Sequence, residues 1–183
     1  MTDRRALEDA IRKLDNELRA LVDFGVKMSG PGWLQKFKAR AAEYRQQEPE
    51  REAKRQETDK FLPELLDLYM TGAETDRQWV RDLLRECPTF RWAFGWRIAS
   101  PKPPVGAQDM IKALALLSME DGGADPRDQQ VLLDKLCAAA RQSGLDLPPL
   151  LRQAAAWSSD EARFPPMRST RALLLDYAER FAG

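Results

Sequence analysis

Histidine does not occur anywhere in the 183 residues. With it go Ser-His-Asp and Cys-His nucleophilic sites, histidine-ligated zinc, HExxH proteases and imidazole acid/base chemistry. Cysteine is nearly absent as well. Cys87 and Cys137 stand too far apart for a CxxC redox motif, and two thiols cannot form a four-cysteine zinc site or an iron–sulfur cluster within one chain. They fit a reducing compartment, where they stay unpaired. Long apolar runs are also missing. Charged side chains interrupt every apolar stretch well short of the ~18 residues that a membrane span needs, and the chain opens on Thr2-Asp3-Arg4-Arg5 in place of an apolar signal core. A cytoplasmic protein with no membrane partner is therefore expected. Nor is there an excess of charge: Lys+Arg and Asp+Glu both total 29. The balance persists locally, with 14 basic and 12 acidic side chains in residues 1–60, 5 and 6 in 61–100, and 10 and 11 in 101–183. No basic arm exists to draw nucleic acid or anionic membrane.

Abundance settles the class. Leu and Ala occur 24 times each, against only 8 Val and Ile combined, so the residues that build helices dominate and those that fit strands are scarce. Arg outnumbers Lys 20 to 9, a usage typical of coding from a GC-rich bacterial genome. The expected fold is all-α, an N-terminal helical hairpin followed by a bundle of short antiparallel helices.

In the first helix Leu7, Ile11, Leu14, Leu18 and Leu21 form one apolar seam, and Glu8–Arg12, Asp9–Lys13 and Asp15–Arg19 are i,i+4 pairs in the favourable order. About two heptads are too few for a free-standing coiled coil, so the seam must pack on something. After Gly30-Pro31-Gly32, the positions Leu34, Phe37, Ala41 and Tyr44 resume helical spacing and are expected to return antiparallel, making residues 1–45 a hairpin. Residues 46–60 carry no large apolar side chain and read as a charged linker or solvated helix. The bundle is expected over 61–183. Its helices begin with Phe61–Met70, which stops at Gly72, and continue with one carrying Trp79, Val80, Leu83 and Leu84 inward behind a capping box Thr75-Asp76-Arg77-Gln78. Four more are expected over about 107–120, 126–143, 148–157 and 169–182, with Pro126 at the start of one and Gly144 as its stop.

Several features invite a chemical reading. The acids Glu120, Asp121, Asp125 and Asp128 suggest a cation site, but an EF-hand loop starting at Asp121 needs a Glu where Leu132 stands, and helix capping accounts for Asp125 and Asp128. The stretch from Gly25 to Gly32 contains Lys27 yet lacks the Gly-Lys-Ser/Thr ending of a phosphate loop and follows a helix, so it reads as a turn. Ser29, Ser169, Thr170 and Tyr177 could act as nucleophiles only with a base beside them. No spacing supplies one, and Ser169 ahead of Leu173-Leu174-Leu175 reads as an N-cap. No metal or cofactor is expected.

The aromatic–arginine stretch Phe90-Arg91-Trp92-Ala93-Phe94-Gly95-Trp96-Arg97-Ile98 is the densest unusual feature. Three of the five Trp, namely Trp79, Trp92 and Trp96, fall within eighteen positions. Its ordinary role is core, since aromatic rings bury most of their area. Trp and Arg are also the residue types of interface hot spots and of single-stranded nucleic-acid platforms. The leading functional expectation is a non-enzymatic interaction protein, an adaptor, regulator or subunit of a larger bacterial assembly. It would bind a protein partner or a second copy of itself through Leu7, Leu14 and Leu18 and through Phe90, Arg91, Trp92, Trp96 and Arg97. The alternative is a nucleic-acid-binding regulator using Arg91, Arg97 and Trp92 or Trp96, with Lys36, Lys38 and Arg40. A third reading is an enzyme of carboxylate or serine chemistry.

Overall fold

A computed structural model describes residues 3–22, 32, 34–35, 38, 41, 45–91, 104–119, 126–159 and 169–182. Among these residues the chain is helical throughout, with no strand: α1 (Arg4–Val22), α2 (Glu48–Thr58), α3 (Leu62–Thr71), α4 (Glu74–Glu86), α5 (Ala107–Met119), α6 (Pro126–Gln142), α7 (Leu147–Trp157) and α8 (Thr170–Arg180). An all-α bundle is what the composition predicts.

Local signals explain most helix ends. Asp3 starts α1, its carboxylate accepting from the Arg5 N–H at 3.1 Å and its carbonyl from the Leu7 N–H at 3.0 Å. Prolines stand in the first turn of α2, α3 and α7, where the missing N–H costs no hydrogen bond. Ser169 caps α8 by accepting from the Ala172 N–H at 3.2 Å. Gly144 follows α6 at φ +68°, a left-handed conformation that favours glycine. The capping box before α4 is shifted from the expected register. The N-cap is Ala73, which has no side-chain acceptor, and Asp76 supplies the bond by accepting from the Ala73 N–H at 2.8 Å. Gly72 permits this turn, because a Cβ there would lie 2.3 Å from the Leu68 carbonyl oxygen and 2.7 Å from the Asp76 carboxylate.

α5 is the central helix. Every residue from Met110 to Met119 except Lys112 is buried, and α5 packs on α3, α4, α6 and α7. A helix apolar on all sides has to be surrounded. α7 and α8 make the most intimate pair, with Leu151, Ala154 and Ala155 of α7 and Leu174, Tyr177 and Ala178 of α8 buried. Phe90, within the helical residues 88–91, is fully buried, its ring edge-on to Phe61 at 6.2 Å.

Residues 46–60, expected as a charged linker or solvated helix, contain the helix α2. Positions 34–35, 38 and 41 are helical, and Leu34 is 52% exposed, while most other residues of the expected returning helix lie outside the described ones. The described element that packs along α1 is α2, which lies in the charged segment. An ion pair joins the two helices. Lys54 reaches Glu17 of α1 at 2.6 Å, and Arg51 and Thr58 are buried despite the absence of any large apolar neighbour on their own helix. The aliphatic stem of an arginine can cover apolar surface in this way. Leu7, Ile11, Leu14 and Leu18 belong to the same buried cluster as residues of α3 to α8. Each buried Leu or Ile contributes about 1.5–3 kcal/mol, so this seam is what seats α1 on the bundle.

Candidate functional site

The helical spacing of α4 puts Thr75, Trp79, Asp82 and Glu86 on one stripe, and that of α1 puts Glu8 and Arg12 on another. Where the stripes face each other an open groove of about 420 Å³ runs between the helices, lined by these six residues together with Gln78 and Leu83. Its charges form a chain across both helices. The Arg12 guanidinium donates to Glu8 at 2.8 Å and to Glu86 on the facing helix. The second Glu8 oxygen accepts from the Trp79 indole N–H at 3.3 Å. The Arg12 guanidinium holds the Glu8 carboxyl below the usual carboxylate range, with Trp79 adding to the effect. At one end, Arg4 pairs with Asp76 and lies 5.8 Å from the centre of the Trp79 ring. Beyond the other end, buried Asp15 accepts from the Phe90 N–H at 2.8 Å and pairs with Arg19 at 2.9 Å, so α1 caps the 88–91 turn. The result is a half-buried indole rimmed by partly exposed charged groups.

A second polar cluster lies deeper. The Trp157 carbonyl, at the end of α7, accepts from the Tyr69 hydroxyl at 2.9 Å and from the buried Arg81 at 2.8 Å. Arg81 also pairs with Glu74, which keeps it charged despite its burial, and sits 6.0 Å from the Tyr69 ring centre. The Ser118 hydroxyl stands 3.2 Å from the Tyr69 oxygen and 2.7 Å from the Ala115 carbonyl, so its one proton serves one acceptor at a time. This cluster satisfies buried polar groups and a helix C-terminus.

Of the residues expected to bind a partner, Leu7, Leu14, Leu18 and Phe90 belong to one buried cluster. Leu7, Leu14 and Leu18 are each only 4% exposed within the chain, and Phe90 is fully buried. In the folded chain these four have no surface to offer, because the bundle already covers the seam that needed a cover. Arg91 is half-buried at the end of its turn, and Trp92, Trp96 and Arg97 lie outside the described residues. Of the weighed nucleophiles, Ser169 caps α8, Thr170 donates to Gln129 at 3.3 Å and Tyr177 donates to Asp134. Ser29 lies outside the described residues, as do Glu120, Asp121 and Asp125 and the side chain of Asp128. Cys87 and Cys137 are buried free thiols, each pushed up to about 11 mainly by burial. They are poor nucleophiles near neutral pH. No group of Cys, Asp and Glu suited to holding a metal occurs among the described residues.

The pieces of the groove are visible in the sequence, and their assembly is not. The sequence shows Glu8–Arg12 only as an i,i+4 pair; Trp79, expected to face inward, packs against the core and also lines the groove. The missing information is that Glu86, seventy-four positions from Arg12, completes the chain of charges. Compared with family models, curated proteins and solved structures, the chain matches none of them.

Proposed function

We propose that this chain is a non-enzymatic protein-interaction module, an adaptor, regulator or subunit, whose docking surface is the groove between α1 and α4. The observation that carries this reading is the half-buried Trp79 ring set at an open groove among charged residues. Binding energy at protein interfaces concentrates on such anchors, and a polar rim around them excludes water. This reading moves the docking surface away from Leu7, Leu14 and Leu18, whose burial seats α1 and leaves them no area to share. The nucleic-acid alternative stands second. At the groove Arg12 is engaged by Glu8 and Glu86 and Arg85 by Asp82, so these cations are held by the chain's own carboxylates and not offered as a stripe to a phosphate backbone.

The test is affinity capture of the tagged full chain from host lysate, with and without nuclease, beside a Trp79→Ala variant checked for retained helicity. The expected result is a stoichiometric protein that survives nuclease and is lost with the variant. Partners that vanish with nuclease would promote the nucleic-acid reading. A partner held equally by the Trp79→Ala variant would remove the groove.

A further inference from the structure

α1 contains one unit twice, seven residues apart: Leu7-Glu8 followed by Ile11-Arg12, and Leu14-Asp15 followed by Leu18-Arg19. Both copies bond alike. In each, the arginine four positions on donates to the acid, at 2.8 Å for Glu8 and 2.9 Å for Asp15. The acid's other oxygen accepts an N–H from the bundle, the Trp79 indole at 3.3 Å for Glu8 and the Phe90 backbone at 2.8 Å for Asp15. The copies differ in what covers them. The Asp15 side chain is 3% exposed, whereas that of Glu8 is 32% exposed and lines the open groove.

At Asp15 the seat is filled by the start of a helix. The Arg91 N–H donates to the Cys87 carbonyl at 3.0 Å, which makes Cys87 the N-cap, Pro88 the first helical residue and Phe90 the third. Cys87 has no side-chain oxygen to cap this turn, so Asp15 of α1 caps it through the Phe90 N–H, and the Phe90 ring is fully buried. We infer that the groove is the open counterpart of this seat and takes the first turn of a partner protein's helix, with proline at its first position and an aromatic residue at its third. Glu8 caps the third N–H, and the aromatic ring lies beside Trp79. This rests on the groove being the docking surface and names what docks there. No unpaired charge is needed: Asp15 holds Arg19 and a backbone N–H together, and a carboxylate has lone pairs for both. A carboxylate at a helix N-terminus is favoured by the helix dipole as well. The turn at 88–91 is already held by Asp15 of its own chain, so the occupant comes from another protein. The groove's volume of about 420 Å³ falls within the ~300–1,000 Å³ of ligand sites.

Calorimetry and NMR of the isotopically labelled full chain, titrated with the peptide acetyl-Ala-Pro-Thr-Phe-Arg-Ala-Ala-Ala-Lys-amide, test the inference. Alanine at the N-cap leaves the capping to the protein, and the same peptide with alanine in place of phenylalanine is the control. The expected result is binding at a single site that moves the Trp79 indole N–H resonance, with no binding of the control. Glu8→Ala should bind about tenfold more weakly, a loss equal to about 1.4 kcal/mol and of the size a cap contributes. Glu8→Gln keeps an acceptor and should stay within about threefold of wild type. Failure to bind, binding of the control peptide, or unchanged affinity in Glu8→Ala overturns the inference. Equal losses in Glu8→Ala and Glu8→Gln also overturn it, because the broken Arg12 pair would then be the cause. So does a shift of the Phe90 amide resonance without one at the Trp79 indole, since the peptide would have displaced the chain's own turn. The broader reading fails separately. A captured protein that needs Trp79 but is retained by Glu8→Ala keeps the interaction module and discards the helix turn.

Discussion

Two contacts in this molecule solve the same problem with different materials. Between α7 and α8 the facing residues are small or apolar, with Ala154, Ala155 and Ala178 letting the backbones approach closely around Leu151, Leu174 and Tyr177. Between α1 and α4 an apolar seam lies underneath, while Arg4–Asp76, Arg12–Glu86 and Trp79–Glu8 bridge the rim with long side chains. An open groove lies between α1 and α4, lined by Glu8 and Arg12 on one side and Trp79, Asp82 and Glu86 on the other. Close packing yields stability that is insensitive to salt. The charged contact is weaker per side chain, and the open groove lies along it, the surface proposed for docking.

The largest effects should come from breaking the apolar side of this comparison. Leu114 is fully buried in the central helix, and Leu114→Ala should lower the unfolding free energy by about 2–5 kcal/mol, read from urea denaturation followed by circular dichroism. A loss under about 1 kcal/mol would mean that α5 is not the packed centre. Leu14→Glu with Leu18→Glu sharpens the contrast. Two carboxylates in place of buried seam residues should unseat α1, removing hydrogen-exchange protection from its amides while α7 and α8 keep theirs. Collapse of the whole chain in that variant would mean that α1 is as integral as α5.

The same contrast decides what could be read in the sequence. The apolar half was legible: the expected boundaries of α5 to α8 lie within two residues of those found, because Pro126, Gly144 and Ser169 punctuate helices whose inward faces repeat locally. The burial of Phe90 likewise follows the ordinary fate of aromatic rings. Periodicity identified the Leu7–Leu18 seam as a face that must be covered. It carries no information on what covers it, and the seam was therefore expected to serve a partner. The charged half escaped for a related reason. Nothing apolar in residues 46–60 announces a helix seated on α1, where Lys54 of α2 pairs with Glu17. Ion pairs such as Arg12–Glu86 join positions remote in sequence, where no local spacing can reveal them.

Tyr69→Phe probes the deep polar cluster, where the two materials meet. It removes the hydroxyl shared with the Trp157 carbonyl and Ser118 while leaving Arg81 on that carbonyl. The expected cost is about 1 kcal/mol, because the carbonyl keeps one donor and the ring keeps its packing. Thermal unfolding of the variant beside wild type measures it. A change near 3 kcal/mol or more would show the cluster acting as a unit rather than as separate bonds, by about the margin networks allow.

Acid and salt should separate the two contacts with the smallest perturbation. Glu8 and Asp76 on the groove, and Glu17 facing α2, have carboxyls below their ordinary range. The leading causes are the Arg12 hydrogen bond for Glu8, the Ala73 N–H followed by Arg4 for Asp76, and Lys54 for Glu17. A carboxylate whose folded pKa lies below its unfolded value of about 4 contributes its stabilisation fully above that value and loses it as the pH falls through the folded one. Lowering the pH from about 6 to below about 4 should therefore reduce the protection of α1 amides, after correction for the intrinsic exchange rate, before that of α7 and α8 amides. Adding salt at neutral pH should act in the same direction and on the same helix, because exposed ion pairs are screened. The seam carries most of the seating of α1, so loosening and not release is the expected outcome. Equal loss of protection in α1 and in α7–α8 would mean that the rim charges serve the whole bundle, and the division between a packed half and a charged contact would have to be given up.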